Sequence, residues 1–256
     1  MSQNGAAPRT ALVTGGGRGI GRAVAEGLAA DGLQIVIADL RAEESAAVAE
    51  AIQQRGGQAL AIACDVADSA SVAAAVEAAQ TRFGQVDVLV NNAGWDDLKP
   101  FLQTDEAFWD RIIDINFKGP LRFTRLLLPG MVERGWGRII NIGSDAGRVG
   151  SSLESVYSGA KGGLIAFTKT IAREVARNGV TANVVCPGPT DTPFMQETMA
   201  AQRDADAVLG AVVKAVPMRR LAQPTEVAAA VRFFATDEAG YVTGQTLSVS
   251  GGLTMA

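Results

Sequence analysis

Short apolar runs rich in β-branched residues alternate with longer stretches rich in Ala, Glu and Arg along most of this chain. The short runs predict strands near Thr10–Thr14, Gln34–Asp39, Ala59–Cys64, Val86–Asn91, Arg138–Ile142, Thr181–Cys186 and Gln245–Val249. The longer stretches place apolar residues at helical spacing over Ile20–Ala30, Glu43–Arg55 and Ser69–Phe83, and Asp68 is a good N-cap for the third. Two longer helical stretches follow, about Glu106–Arg134 and Ser155–Asn178. Strands this short and this apolar are covered on both faces, so their alternation with helices predicts an α/β fold built on a parallel sheet. No repeat or linker divides the chain, and 10–256 is expected to be one domain behind a flexible polar tail at 1–9. From Pro187 to Gln223 the rhythm breaks, with prolines around a moderately polar helical piece. A long excursion between two strands is expected to be a substrate lid.

Composition narrows the classes. At 256 residues the chain buries roughly 70–75% of its unfolded surface and needs no disulfide or metal staple. A net charge of −4 and a pI of about 5.0 argue against a nucleic-acid groove or an anionic membrane surface as partner. The two cysteines, Cys64 and Cys186, end apolar runs and read as buried free thiols. The chain has no His, which removes a Ser-His-Asp triad, a His-ligated metal and a His base together; no metal site is expected. The N-terminus lacks an apolar leader and no segment nears a membrane span, so a cytoplasmic protein is expected.

Thr14-Gly15-Gly16-Gly17-Arg18-Gly19-Ile20-Gly21 follows the first predicted strand and opens the first helix. It fits G-x-G-x-x-G in no register, and Arg22-Ala23 stand where a Walker A loop requires Lys-Ser/Thr. The remaining pattern, T-G-x-x-x-G-x-G, keeps the physics of a dinucleotide loop. Glycines let the backbone approach a pyrophosphate whose charge faces a helix N-terminus. Asp39 closes the second strand, where a carboxylate accepts hydrogen bonds from the adenosine ribose and repels a 2′-phosphate. That favours NAD over NADP, with Arg18 and Arg41 as the opposing candidates for a 2′-phosphate. Asp65-Val66 ends the third strand, near where adenine would lie. Asn91-Asn92-Ala93-Gly94 ends the fourth, at the carboxyl edge where open α/β sheets bind ligands. Taken singly, each of these is equally a cap or turn residue.

Tyr157 and Lys161, four residues apart on a predicted helix, project from one face. Free Tyr titrates near pH 10, so acid/base work at neutral pH calls for a drop of two to three units, about 3–4 kcal/mol. An ammonium about 4 Å away supplies about 1 kcal/mol in water but about 4 at an effective dielectric of about 20. The pair is therefore expected at the bottom of a cleft.

These pieces, in this order from Thr10 to Met255, resemble the short-chain dehydrogenase/reductase family. The likeness rests on the 14–21 loop, Asp65, the Asn91–Gly94 run, Asn116, Ser144, Y-x-x-x-K at 157–161 and Pro187-Gly188. The resemblance implies a single Rossmann-type domain, with a seven-stranded parallel sheet and helices on both faces, assembled as a homotetramer or dimer on the two long helices. It implies that Tyr157 exchanges a proton with the substrate oxygen and that Ser144 hydrogen-bonds that oxygen. Lys161 would lower the Tyr157 pKa and hold the nicotinamide ribose, and Asn116 would anchor a water leading from Lys161 to solvent. Gly15, Arg18, Gly19, Ile20, Gly21, Val66, Asn92, Ala93, Gly94, Pro187 and Gly188 would line the cofactor, with Thr190 or else Thr192 on its carboxamide.

Shorter runs, among them Gly94-Trp95-Asp96, Arg148-Val149-Gly150-Ser151-Ser152 and the stretch from Leu247 to Met255, resemble a subgroup, the bacterial 2-hydroxycyclohexanecarboxyl-CoA dehydrogenases. That implies a bulky cyclic secondary alcohol and its ketone, carried as a thioester, with a free cyclic or aryl alcohol as the alternative substrate. Trp95, Val149, Ser151, Leu153 and Met195 flank the catalytic groups as pocket-wall candidates. Lys99, Arg148, Lys214, Arg219 and Arg220 are the cations available to a thioester's phosphates. A non-catalytic nucleotide-binding regulator is disfavoured by the presence together of Asn116, Ser144, Tyr157 and Lys161. An isomerase or dehydratase would need a further acid/base that the sequence does not offer.

Overall fold

The computed structural model describes residues 8–200 and 204–255. Seven strands form one parallel sheet: β1 Thr10–Thr14, β2 Gln34–Asp39, β3 Ala59–Ala63, β4 Val88–Asn91, β5 Gly137–Ile142, β6 Val180–Pro187 and β7 Thr246–Val249. Their spatial order is β3-β2-β1-β4-β5-β6-β7. Between them run α1 Gly19–Ala30, α2 Ala42–Gln54, α3 Ser69–Phe83, α4 Glu106–Ile113, α5 Gly119–Arg134, α6 Ala146–Val149, α7 Ser155–Val175, α8 Pro193–Ala200, α9 Ala205–Ala215 and α10 Pro224–Ala235.

The apolar strands divide their side chains between two cores with a period of two. Ala11 and Val13, Ile35 and Ile37, Val88 and Val90, and Ile140 and Ile142 face the side covered by α1, α2 and α10. Leu12, Val36, Leu89 and Ile139 face the side covered by α3, α5 and α7. Each such Val, Leu or Ile side chain, fully buried, contributes about 1.5–3 kcal/mol, so both layers are held strongly to the sheet. Asp68 caps α3 as expected, accepting from the Ala70 N–H at 3.0 Å. Both cysteines are free and buried.

Three expectations need correction. The stretch Glu106–Arg134 is not one helix: a π-helical turn over Asp114–Lys118 separates α4 from α5. Its centre, Asn116, donates through Nδ2 to the Ile112 carbonyl at 3.0 Å and to the Trp95 carbonyl at 2.7 Å, so a side chain serves a carbonyl one turn back. The expected tail, 1–9, is too long at its inner end. Arg9 ion-pairs with Asp237 at 3.0 Å and lies over the Trp136 ring, and its carbonyl accepts from Gln34; residues 1–7 lie outside the described residues. The proposed lid carries two helices, α8 and α9, rather than one. Among the described residues no helix is long and apolar enough to cross a membrane.

Candidate active site

The chain leaves β1 for β2 on one side and returns to β4 on the other, so the carboxyl ends of β1 and β4 open a crevice. The 14–21 loop lines it. A Cβ at Gly21 would stand 2.0 Å from the Gly15 carbonyl oxygen and 2.4 Å from Asn92 Nδ2. One at Gly15, where φ is +63°, would stand 2.9 Å from Ala93 Cα. Thr14 and Asn92 lock the two strand ends together. Thr14 Oγ1 accepts from the Asn92 and Ala93 N–H groups, both at 3.0 Å, and Asn92 Nδ2 donates to the Thr14 and Gly15 carbonyls. Helix α1 has no side-chain cap and no acid in its first turn, which leaves its N–H groups free for an anion. A glycine cradle that side chains would fill, ending on an uncapped helix, fits a dinucleotide pyrophosphate.

Asp39 is buried at the end of β2, accepting from the Gly17 N–H at 2.8 Å and the Arg41 N–H at 2.9 Å. Arg18 is tied to Glu197 of α8, and Arg41 to Glu44 at 3.0 Å. Asp65 accepts from the Ala67 N–H at 2.8 Å, and buried Val66 packs against Gly119 of α5. Ile20 packs on the first core. At the end of β6, the Gly188 N–H donates to Val249 at 3.0 Å. The Thr190 hydroxyl turns back to the Gly188 carbonyl, whereas the Thr192 methyl lies 3.3 Å from a Cβ built on Gly19, so of the two threonines it is Thr192 that meets the glycine loop.

The acid/base candidates converge one strand over. Lys161 is buried on α7 and donates to the Ile142 carbonyl at 2.8 Å, with Nζ 5.6 Å from the Tyr157 ring centre. Ser144 begins the turn after β5, its Oγ accepting from the Ala146 N–H at 3.1 Å. The turn reaches α7 because Gly147 lies against the Lys161–Gly162 backbone, where a Cβ would approach to 2.7 Å. Asn116 closes the group: its Oδ1 accepts from the Trp95 N–H at 3.3 Å and would lie 3.0 Å from a Cβ on Gly94, and Lys161 Nζ would lie 3.8 Å from the same atom. A buried relay runs from Asn91 through Asn141 to Thr168, each bond 2.8 Å, and pins α7 to β4 and β5.

Electrostatics at Tyr157 run against the sequence expectation. The ring keeps some solvent contact, but packing around its hydroxyl is dense. Burial pushes the phenol well above its usual range; the Glu154 and Asp96 carboxyls add to this, and the Ser144 hydroxyl pulls the other way. Lys161 is itself lowered to about 8 by burial, with Cys186 and Asp96 opposing. In the protein alone, desolvation outweighs the ammonium. The Asp96 carboxyl is nine-tenths buried, and burial raises it to about 7. Neither Asp96 nor Glu154 was among the expected site residues; the one signal was an acid following Gly94-Trp95.

The pocket-wall candidates differ in placement. The Trp95 ring packs edge-on to Phe108 and under the Arg111 guanidinium at 3.8 Å, which commits it to α4. Val149 and Leu153 are exposed apolar residues, Leu153 in the left-handed region at φ 68°. Ser151 is exposed between them, and Met195 is half-buried on α8. Of the five candidate cations, Lys99 pairs with Asp97, Arg148 donates to Ser248 and Arg220 pairs with Glu226. Lys214 and Arg219 make no ion pair among the described residues.

Comparison with known proteins finds similar chains among reductases. The family described as enoyl-(acyl carrier protein) reductase matches residues 15–254. The short-chain reductase protein NovJ of Streptomyces niveus is 41% identical, over 94% of this chain and 92% of its own. Acetoacetyl-CoA reductase of Allochromatium vinosum is 42% identical, over 96% of this chain and 99% of its own. Among solved structures, an actinorhodin polyketide ketoreductase variant crystallised with NADPH superposes with a TM-score of 0.92 at 35% identity, covering 96% of this chain and 97% of that one.

Proposed function

This chain belongs to the short-chain dehydrogenase/reductase family, and from that premise we propose that it interconverts a bulky cyclic secondary alcohol and its ketone, with NAD as hydride carrier and a thioester beside the reacting carbon. The observation that carries the reading is the convergence of Tyr157, Ser144, Lys161 and Asn116 beside the glycine cradle. When bound, the nicotinamide supplies or accepts the hydride. Tyr157 gives its proton to the ketone oxygen in reduction and takes it from the alcohol in oxidation. Ser144 holds that oxygen by a hydrogen bond. Lys161, fixed by the Ile142 carbonyl, steadies the phenol and the ribose, and Asn116 fixes the loop at Trp95. The cradle at Gly15–Gly21, with Asp39, Asp65, Val66, Asn92, Ala93, Gly94, Pro187, Gly188 and Thr192, would hold the dinucleotide. A homotetramer is consistent with exposed Leu126 on α5, Phe233 on α10 and Leu247 on β7.

NAD is favoured because Asp39 presents a carboxylate where a 2′-phosphate would lie, while both nearby guanidinia already engage carboxylates. The NADPH in the related ketoreductase argues the other way, so the cofactor needs its own test. With Asp39 in place, kcat/KM should favour NAD by about tenfold or more, and Asp39→Ala should narrow that ratio by removing a like-charge repulsion of about 1–2 kcal/mol. Equal use of both cofactors by the unaltered protein would overturn the assignment.

The thioester is supported by the name of the acetoacetyl-CoA reductase relative and by Lys214 and Arg219, which make no ion pair among the described residues. Exposed Val149 and Leu153 suit a ring. A free cyclic or aryl alcohol is the second reading, favoured by the engagement of Lys99, Arg148 and Arg220 elsewhere. Charge separates the two. The KM for a CoA thioester should rise with salt, whereas that for a neutral alcohol should hardly respond. Efficient oxidation of free alcohols with no turnover of the thioesters would leave only the second reading.

A further inference from the structure

Tyr157 and Lys161, four residues apart, share one face at the start of α7, and Glu154 is the residue just before that helix, three before Tyr157. Asp96 enters that face from the loop after β4. It is nine-tenths buried, and its Oδ2 has no hydrogen-bond partner. A lone carboxylate left so costs several kcal/mol, so the site is incomplete unless something donates to that oxygen. Glu154 is the neighbouring carboxyl with which that oxygen can share a proton. The Lys99 N–H donates to the Leu153 carbonyl at 3.0 Å, which lays the loop that carries Asp96 along the residue before Glu154, and adjoining carboxyls hydrogen-bond when one of them carries a proton.

We propose that Asp96 and Glu154 share one proton as a carboxyl pair and act as positioning residues for Tyr157, their remaining negative charge making the phenol and the Lys161 ammonium hold their protons more tightly than either would without it. The inference rests on the reading of Tyr157 as the acid given above. The proton is conserved: it moves between the two carboxyls or leaves to solvent through half-exposed Glu154, and no covalent bond changes.

The surrounding charges fit the assignment. Tyr157 is faced by Lys161 from its own helix, by Glu154 from the residue before that helix, by Asp96 from the β4–α4 loop, by Ser144 from the β5–α6 turn and by Cys186 from β6. Asp96 feels the Asp97 charge, but Asp97 is held by Lys99 at 2.7 Å. Cys186, faced by Asp145, Arg148 and Lys161, is pushed up to about 11 by burial and stays a neutral thiol over the working range. The pair therefore supplies the negative charges nearest Tyr157. A negative charge disfavours phenolate and favours ammonium, so its removal lets both groups lose protons more readily.

The test compares pH profiles of ketone reduction and alcohol oxidation for the unaltered protein, Asp96→Asn, Glu154→Gln and the double variant. The alkaline fall of reduction and the rise of oxidation should both move to lower pH, by about half to one unit in each single variant and further in the double. Any inflection near pH 7 should vanish in both single variants. Superimposable profiles, or changes in rate with no change in shape, would overturn the proposal. If Asp96→Asn does not fold, half-exposed Glu154→Gln carries the test alone. If the unaltered protein reduces no ketone, the functional reading fails separately. The pair is then judged in a Tyr241→Phe background, where Tyr157 is the sole tyrosine. Its near-ultraviolet phenolate absorbance should appear at lower pH in the carboxyl variants, and an unchanged onset would overturn the pair.

Discussion

Tyr157→Phe is expected to lower kcat by about 10²–10⁴-fold, the range supplied by a positioned general acid or base, while dinucleotide affinity stays nearly unchanged. The substitution removes one oxygen and leaves the ring that packs at the start of α7. The bonds that hold the site do not pass through that oxygen. Lys161 remains on the Ile142 carbonyl, Asn116 on Trp95 and Ile112, and Asn92 on the glycine loop. Loss of turnover with binding retained is therefore the signature of a missing proton rather than a damaged fold. Steady-state rates in both directions, beside a fluorescence titration of the reduced cofactor, would measure it. Rates near normal in the Phe variant would remove Tyr157 from the mechanism.

Gly21→Ala should produce the largest structural effect of any single methyl group in the chain's cofactor cradle. The added Cβ would stand 2.0 Å from a backbone oxygen and 2.4 Å from Asn92 Nδ2, and the backbone oxygen is not the movable end of a flexible side chain. Either the loop moves off β4 or α1 moves off the sheet, and both break the bonds that Asn92 makes to Thr14 and Gly15. Overpacking of this kind costs about 1–3 kcal/mol or more, and the displaced N–H groups no longer converge on a pyrophosphate. A lower Tm and a loss of cofactor affinity of about tenfold or more are expected, by calorimetry and titration. Gly210→Ala on α9, where a Cβ meets nothing within 4 Å, is the matched control; it should be neutral or stabilise by up to about 1 kcal/mol. Equal behaviour of the two variants would mean that the cradle yields without cost.

Much of this protein is local, and the sequence alone carried that much. Ala11, Leu12 and Val13 read as a strand buried on both faces because all three are apolar, and they divide between the two cores accordingly. The glycine loop and the Tyr157–Lys161 spacing were legible because both lie within a few residues on one element, where backbone geometry dictates proximity. The order of elements led to the parallel sheet for the same reason: the connections are too long for hairpins. What tertiary structure decided depends on distant segments. Asn116, at the centre of the π turn, gives one amide hydrogen to the Trp95 carbonyl of another loop, a contact that no local pattern announces. Arg18 is a 2′-phosphate candidate by sequence position, and only the fold brings Glu197 of α8 to it. The Tyr157 titration reversed direction because desolvation sums every neighbour in space, whereas the expected lowering counted only one on the same helix. Asp96 and Glu154 meet only when the end of β4 folds against the start of α7. Spacing along a chain specifies contacts within an element, but the balance of burial and charge at a site belongs to the assembled fold.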